Sequence, residues 1–177
     1  EYAPDLQAGL QTSIAGLSAV DRYAFIDDSW ALFLANRRTL EELMDSLSSL
    51  TATETEPSVW RRVVGIVAAL RSIAPSTAVD FAAFVEHLIG DRLAPTADTT
   101  RAPATPAELD LHAVLFRFAG TIGESTDVVA QAHELFAGLP DSTAGNPELA
   151  AAVLDVVGAH ASTADFDRLL DIFHTAA

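Results

Sequence analysis

The chain contains no cysteine and no lysine, and only one methionine. Without cysteine there can be neither disulfides nor thiolate metal sites. Without lysine all ten positive charges are arginine, set against 25 acidic residues for a net charge of −15. Phosphate binding needs clustered basic residues, and the only arginine doublets are Arg37-Arg38 and Arg61-Arg62. A nucleic-acid partner is therefore excluded, and an anionic membrane surface with it. Long apolar runs are also missing. The longest, near Val63 to Leu70, falls far short of the roughly 20 residues a membrane span requires. The acidity suits a soluble protein; the absence of cysteine does not identify the compartment, of which the cytoplasm is the favoured expectation.

What is abundant is alanine, at 33 of 177 residues, within a chain that is 50% hydrophobic. That composition favours helix and argues against disorder. The eight prolines lie at or between helical segments, never inside a strongly periodic run, as helix geometry demands. The expected helices are Asp5–Ala15, Ala19–Asn36, Leu40–Leu50, Val59–Ile73, Ala78–Leu93, Pro106–Ile122, Thr126–Ala137, Pro147–Ala161 and Ala164–Thr175. Five capping signals precede apolar-periodic runs: Ser18 with Asp21, Thr39 with Glu42, Thr77 with Asp80, Thr105 with Glu108, and Ser162 with Asp165. No segment alternates with the period of two that marks a half-buried strand.

The fold class is therefore all-α. About nine short helices without a heptad repeat suit an α-solenoid, a HEAT-like array of antiparallel helix pairs, although no clean repeat of fixed period is visible. The expectation is a single helical domain over residues 1–177, with a mobile Thr/Ala/Pro-rich loop near 94–105.

The stretch from Asp21 to Leu32 carries two adjacent carboxylates inside a largely apolar helix. At 100° per residue, Val20, Tyr23, Trp30, Ala31 and Leu34 share one broad face, and Asp27 falls within it. Asp28 projects toward a more polar arc with Arg22, Ser29 and Asn36. Asp27 is expected to be buried and tied to an arginine or to backbone N–H groups on a neighbouring element, because an unpaired buried charge is costly. The two carboxylates lie about 100° apart, so they cannot address one substrate atom together. Their expected role is structural. Trp60, opening a helix that is apolar nearly all round, is expected as a core anchor against the Ala19–Asn36 helix.

Catalytic motifs are wanting. His133-Glu134-Leu135-Phe136-Ala137 begins like a zinc-peptidase helix but lacks the second histidine. His87, His112, His160 and His174 lie on separate segments, so no metal site is expected. There is no Gly-x-Ser-x-Gly elbow. Gly120-Thr121-Ile122-Gly123 sits between helices, and its glycines are expected to end one helix and begin a turn.

The order of features does resemble a known family. Tyr2, Pro4, Asp5 and Leu6 precede Leu17-Ser18 and Asp21-Arg22. Then follow Asp27-Asp28 with Ala31-Leu32, Ala35-Asn36-Arg37, and Glu54-x-Glu56 ahead of Trp60. Leu109 to Gly123, Ala132 with Leu135-Phe136, and Asp165-Phe166-Asp167 with Leu169-Leu170 continue the match. This pattern resembles the C-terminal helical domain of M1-family zinc aminopeptidases, the domain found in aminopeptidase N and the endoplasmic-reticulum aminopeptidases.

The resemblance implies a non-catalytic domain that walls the substrate chamber and packs on the catalytic domain of the same polypeptide. The parent would remove N-terminal residues from peptides, with Zn2+ held in that catalytic domain. The His-Glu-x-x-His and Gly-x-Met-x-Asn motifs of the catalytic domain do not occur in this sequence. No cofactor is therefore expected in this chain, which reads as a fragment of a longer domain. Asp27, Asp28, Arg22, Trp30 and Trp60 are the structural candidates. The alternative is a free-standing α-solenoid that binds a protein partner.

Overall fold

A computed structural model describes residues 14–74, 79–93 and 104–175. Among these residues it is all-helical, with eight α-helices and no strand. They are α1 (Ala19–Leu34), α2 (Leu40–Thr51), α3 (Pro57–Ile73), α4 (Phe81–Ile89), α5 (Pro106–Thr121), α6 (Thr126–Ala137), α7 (Pro147–Ala159) and α8 (Thr163–Thr175). Short 3-10 turns occur at Ile14–Gly16, Gly90–Leu93 and Asp141–Thr143. Most of the helix expected at Asp5–Ala15, the Thr77 capping signal and most of the loop expected at 94–105 lie outside the described residues.

Sequence chemistry sets the helix ends. Thr39 accepts from the Glu42 N–H while the Glu42 carboxylate accepts from the Thr39 N–H, and Thr105 with Glu108 repeats this reciprocal box. Ser162 and Asp165 do the same ahead of α8. Each box satisfies donors that would otherwise be orphaned at a helix start. Helix α1 stops where Asn36 turns left-handed at φ 55°, a conformation asparagine tolerates better than most residues. Pro57, Pro106 and Pro147 stand in the first turns of α3, α5 and α7, where a missing N–H costs nothing.

The chain divides into two compact units, Glu1–Asp80 and Phe81–Ala177. In the first, α1 packs on α2 and on α3. Its core holds Ile26, Leu43, Leu47, Leu50, Val59, Trp60, Val63, Ile66, Val67 and Leu70. In the second, α5 lies against α7, with α4 and α6 alongside and α8 on α7. Phe116, Phe118, Leu115, Ala132, Val153, Val156 and Val157 fill that core.

The stretch Gly120 to Gly123 closes α5 as expected, with Gly120 the penultimate helical residue and Gly123 in the turn beyond. A Cβ at Gly120 would meet Val156 Cγ2 and Cγ1 at 2.6 and 2.7 Å. The residue is glycine because α5 and α7 cross closely at this point. His160, just past α7, places Nε2 2.8 Å from the Gly120 carbonyl oxygen, which can only accept, so Nε2 carries the proton.

Helix α8 differs from its neighbours in having no buried residue among those whose side chains are described, 163–174. Leu169 and Ile172 are half-buried, while Phe166, Leu170 and Phe173 are exposed. Polar contacts supplement this packing. Arg168 donates to the Ala137 carbonyl at 3.1 Å and stacks over the Phe136 ring, and His133 Nδ1 lies 3.7 Å from Asp165.

Candidate functional site

The first unit is organised around Glu54 in the turn between α2 and α3. Arg22, in the first turns of α1, grips this carboxylate with both edges of its fork. Nε donates to Oε2 at 2.6 Å and Nη2 donates to Oε1 at 2.9 Å. Arg22 Nη1 also donates to the Leu17 carbonyl at 2.6 Å, which ties the chain before α1 to the same cluster. Oε1 of Glu54 further accepts from the backbone N–H groups of Thr55 and Glu56, at 2.9 and 2.8 Å. The Glu54 main-chain carbonyl takes the Trp60 indole N–H at 3.1 Å. One acidic residue thus fastens α1, the turn and α3 together.

The Glu54 side chain is fully enclosed. Burial alone would raise its pKa, but the Arg22 hydrogen bonds, the two backbone donors and the Arg22 charge outweigh it and hold the carboxyl below the usual glutamate range. The same hydrogen bond raises Arg22 above its ordinary value, against the opposing effect of burial. A carboxylate offers about four acceptor positions, two on each oxygen; here three donors converge on Oε1 and one on Oε2. With four donors on it and its proton affinity lowered, Glu54 is suited to clamping the fold and poorly suited to general-base chemistry.

A second polar junction joins α1 to α2. Arg38 is buried, and its Nη1 donates to Ser29 Oγ at 2.9 Å and to Ser46 Oγ at 3.0 Å. Each hydroxyl in turn donates to the carbonyl one helical turn back, Phe25 for Ser29 and Glu42 for Ser46. Desolvation lowers the Arg38 pKa, and the charge of Glu42 partly offsets it.

These two junctions reverse the expected orientation of α1. Arg22, Ile26, Ser29 and Phe33 form its inward side, with Ile26 and Ser29 buried. Val20, Tyr23, Ala24, Asp27, Ala31 and Leu34 form its outward side. Of the residues expected to share a packed face, Val20, Tyr23, Ala31 and Leu34 are exposed and Trp30 is half-buried, while Phe25, Ile26, Leu32 and Phe33 supply the apolar part of the inward side. The polar arc can be buried because its arginine and serine find partners, so the usual cost of burying polar groups is met.

Asp27 is therefore not buried. Its carboxylate is 52% exposed and pairs with Arg62 of α3 across the helix surface. Asp28 is exposed. Trp30 is half-buried and stacks on Phe33, with ring centroids 5.6 Å apart. Trp60 is completely buried. Arg22 and Trp60 thus meet at Glu54, while Asp27, Asp28 and Trp30 belong to other surroundings.

The sequence reading did not single out Glu54, Arg38 or Arg62. Glu54 stood within the spacing Glu54-x-Glu56-x-x-x-Trp60, which was the available signal. Arg38 carried none, because its serine partners lie nine and eight residues away on two different helices.

Other titratable groups stay separate. His112 is half-buried beside Phe116, and desolvation lowers its pKa. Arg117 of α5 pairs with Asp155 of α7 at 2.7 Å. Among the described residues no group of three His, Cys, Asp or Glu is placed to hold a metal ion. No helix among them is long and apolar enough to cross a membrane.

The family model for the ERAP1-like C-terminal domain matches residues 1–177. The chain belongs to this family, the C-terminal domain of M1 aminopeptidases. No curated protein and no solved structure gives a significant match.

Proposed function

We propose that this chain is a non-catalytic helical part of an M1-type zinc aminopeptidase. It would wall the substrate chamber and pack on the catalytic domain of the same polypeptide. The observation that carries this reading is the family match over residues 1–177. The site supports it from below: the best-organised polar cluster holds an enclosed carboxylate under four hydrogen bonds and works as a fastener.

In this reading Zn2+ and the peptide-cleaving residues belong to the catalytic domain, and this chain's helices help to shape access to it. Peptides that enter the chamber are the substrates of the intact enzyme, and the chain by itself is inactive.

The test compares the intact polypeptide with the 177-residue chain on an aminoacyl chromogenic substrate. The expected result is chelator-sensitive turnover by the intact polypeptide and none by the chain alone. An intact polypeptide without chelator-sensitive turnover, or turnover by the isolated chain, overturns the proposal.

A further inference from the structure

The polar contacts that hold α8 to α6 gather near the start of α8, and one of them depends on charge. Arg168 donates to the carbonyl of Ala137, the last residue of α6, at 3.1 Å, and its guanidinium lies 4.9 Å from the Phe136 ring centroid. Three residues earlier, Asp165 Oδ1 lies 3.7 Å from Nδ1 of His133 on α6. That separation is beyond hydrogen-bond reach, so the pair interacts through charge. A protonated imidazole attracts the carboxylate, and a neutral one does not. The two side chains are 36% and 21% exposed, so water and salt screen them incompletely.

The two oxygens of Asp165 have separate tasks. Oδ2 accepts from the Ser162 N–H at 3.0 Å and from the Ser162 hydroxyl at 2.6 Å, contacts local to the α8 segment that start the helix. Oδ1 faces α6. Release of α8 from α6 therefore gives up the His133 contact and keeps the cap. Little apolar packing resists that release. Over residues 163–174 no side chain is buried, and Leu169 and Ile172 are half-buried. A segment held this lightly opens without unfolding the core, so a modest change in one contact shifts its equilibrium.

We propose that α8 is a pH-sensitive strap, closed on α6 when His133 is protonated and released more often as pH rises through the histidine range. Histidine is the side chain that ordinarily changes charge between pH 5 and 8. The carboxylate stays charged through that window. The Ser162 hydroxyl, the Ser162 N–H and the charge of His133 hold Asp165 below the usual aspartate range, against the effect of partial burial. The attraction is thus present in mild acid, where both partners are charged, and fades as the imidazole becomes neutral.

The other charged groups nearby are of kinds that do not ordinarily change charge in this window. They are Glu134 on α6, Asp167, Arg168 and Asp171 on α8, and Glu148 and Asp155 on α7, the last paired with Arg117 of α5. Two further histidines adjoin α8: His160 just past α7, bonded to the Gly120 carbonyl, and His174 in the last turn of α8 beside Phe173. His112 on α5 acts in the opposite sense, since burial favours its neutral form and acid weakens the core around it.

Native-state hydrogen exchange of the 177-residue chain, corrected for the intrinsic pH dependence of exchange, reads the opening of α8 separately from that of α7. From about pH 5.5 to about pH 8, protection of the α8 amides is expected to fall about two- to fivefold, the size of a partly exposed ion pair. The α7 amides should not follow. His133→Gln should abolish the fall, and so should Asp165→Asn, which keeps an oxygen for the Ser162 cap. His160→Gln and His174→Gln should each leave it in place. Protection of α8 that is independent of pH in the unaltered chain overturns the proposal. So does a fall that survives His133→Gln or Asp165→Asn, or one that disappears with His160→Gln or His174→Gln.

Discussion

Arg22 and Glu54, 32 residues apart in the chain, form a two-point clamp with N–O distances of 2.6 and 2.9 Å. The carboxylate is fully enclosed, and the Arg22 side chain is 18% exposed. Removing Arg22 leaves the Glu54 charge buried without its match, and removing Glu54 leaves Arg22 half-buried without its partner, which is costly even where the intact pair adds little net stability. Arg22→Ala or Glu54→Ala is expected to lose about 3–5 kcal/mol, measured by urea unfolding. The double variant should lose clearly less than the sum of the two. Additive losses would show that the pair is not coupled.

Acid should act through the same carboxylate. The folded pKa of Glu54 lies below its ordinary value of 4.5, so in the window between the two the unfolded state binds the proton first. Its contribution is complete above that value and is lost as pH falls through the folded pKa. A Tm profile of Glu54→Gln should therefore run below wild type near neutral pH and converge on it at low pH. A constant offset at every pH would contradict this.

His112 predicts a second window. Desolvation beside Phe116 lowers its pKa from 6.5, so the neutral ring is favoured in the fold. Stability from this source is complete above 6.5 and declines as pH drops below it, because the unfolded chain takes up the proton more readily. His112→Leu should remove that decline, seen as a flatter Tm profile just below neutrality.

Trp60→Ala deletes a wholly buried ring and should cost about 3–5 kcal/mol. Trp60→Phe keeps most of the volume but forfeits the indole bond to the Glu54 carbonyl, at about 1–3 kcal/mol for the acceptor left unpaired. In a Trp30→Phe background the emission should be that of a water-excluded indole. By contrast, Asp27→Ala breaks a half-exposed pair and should change stability by no more than about 1 kcal/mol.

Gly120→Ala places a methyl group within 2.7 Å of Val156 and is expected to cost about 1–3 kcal/mol through overpacking. Val156→Ala in the same chain should recover part of the loss. Failure to recover would mean that the crossing of α5 and α7 does not set the limit.

The helices themselves were legible because their signals are local. Thr39 with Glu42 and Thr105 with Glu108 announce two helix starts, and Thr126–Ala137 matches α6 at both ends. The side of α1 that faces inward was not legible. Periodicity groups residues by angle, and α1 carries large apolar residues on both sides, Ile26 and Phe33 on one and Tyr23 and Leu34 on the other. Here the decision rested on Arg22 finding Glu54 and Arg38 finding Ser29 and Ser46, contacts that span helices and leave no periodic trace. Gly120 was legible as part of a helix end, but its close approach to Val156 depends on a helix 36 residues further along and leaves no local trace.

The absence of buried side chains over residues 163–174 of α8 has a consequence for how the chain comes apart. Segments with few enclosed contacts open at lower free energy than the core they rest on, without global unfolding. Trypsin cuts only at arginine in this lysine-free chain. Arg168 on α8 should accordingly be cleaved well before Arg117 on α5, yielding a trimmed core in which α5 and α7 remain paired.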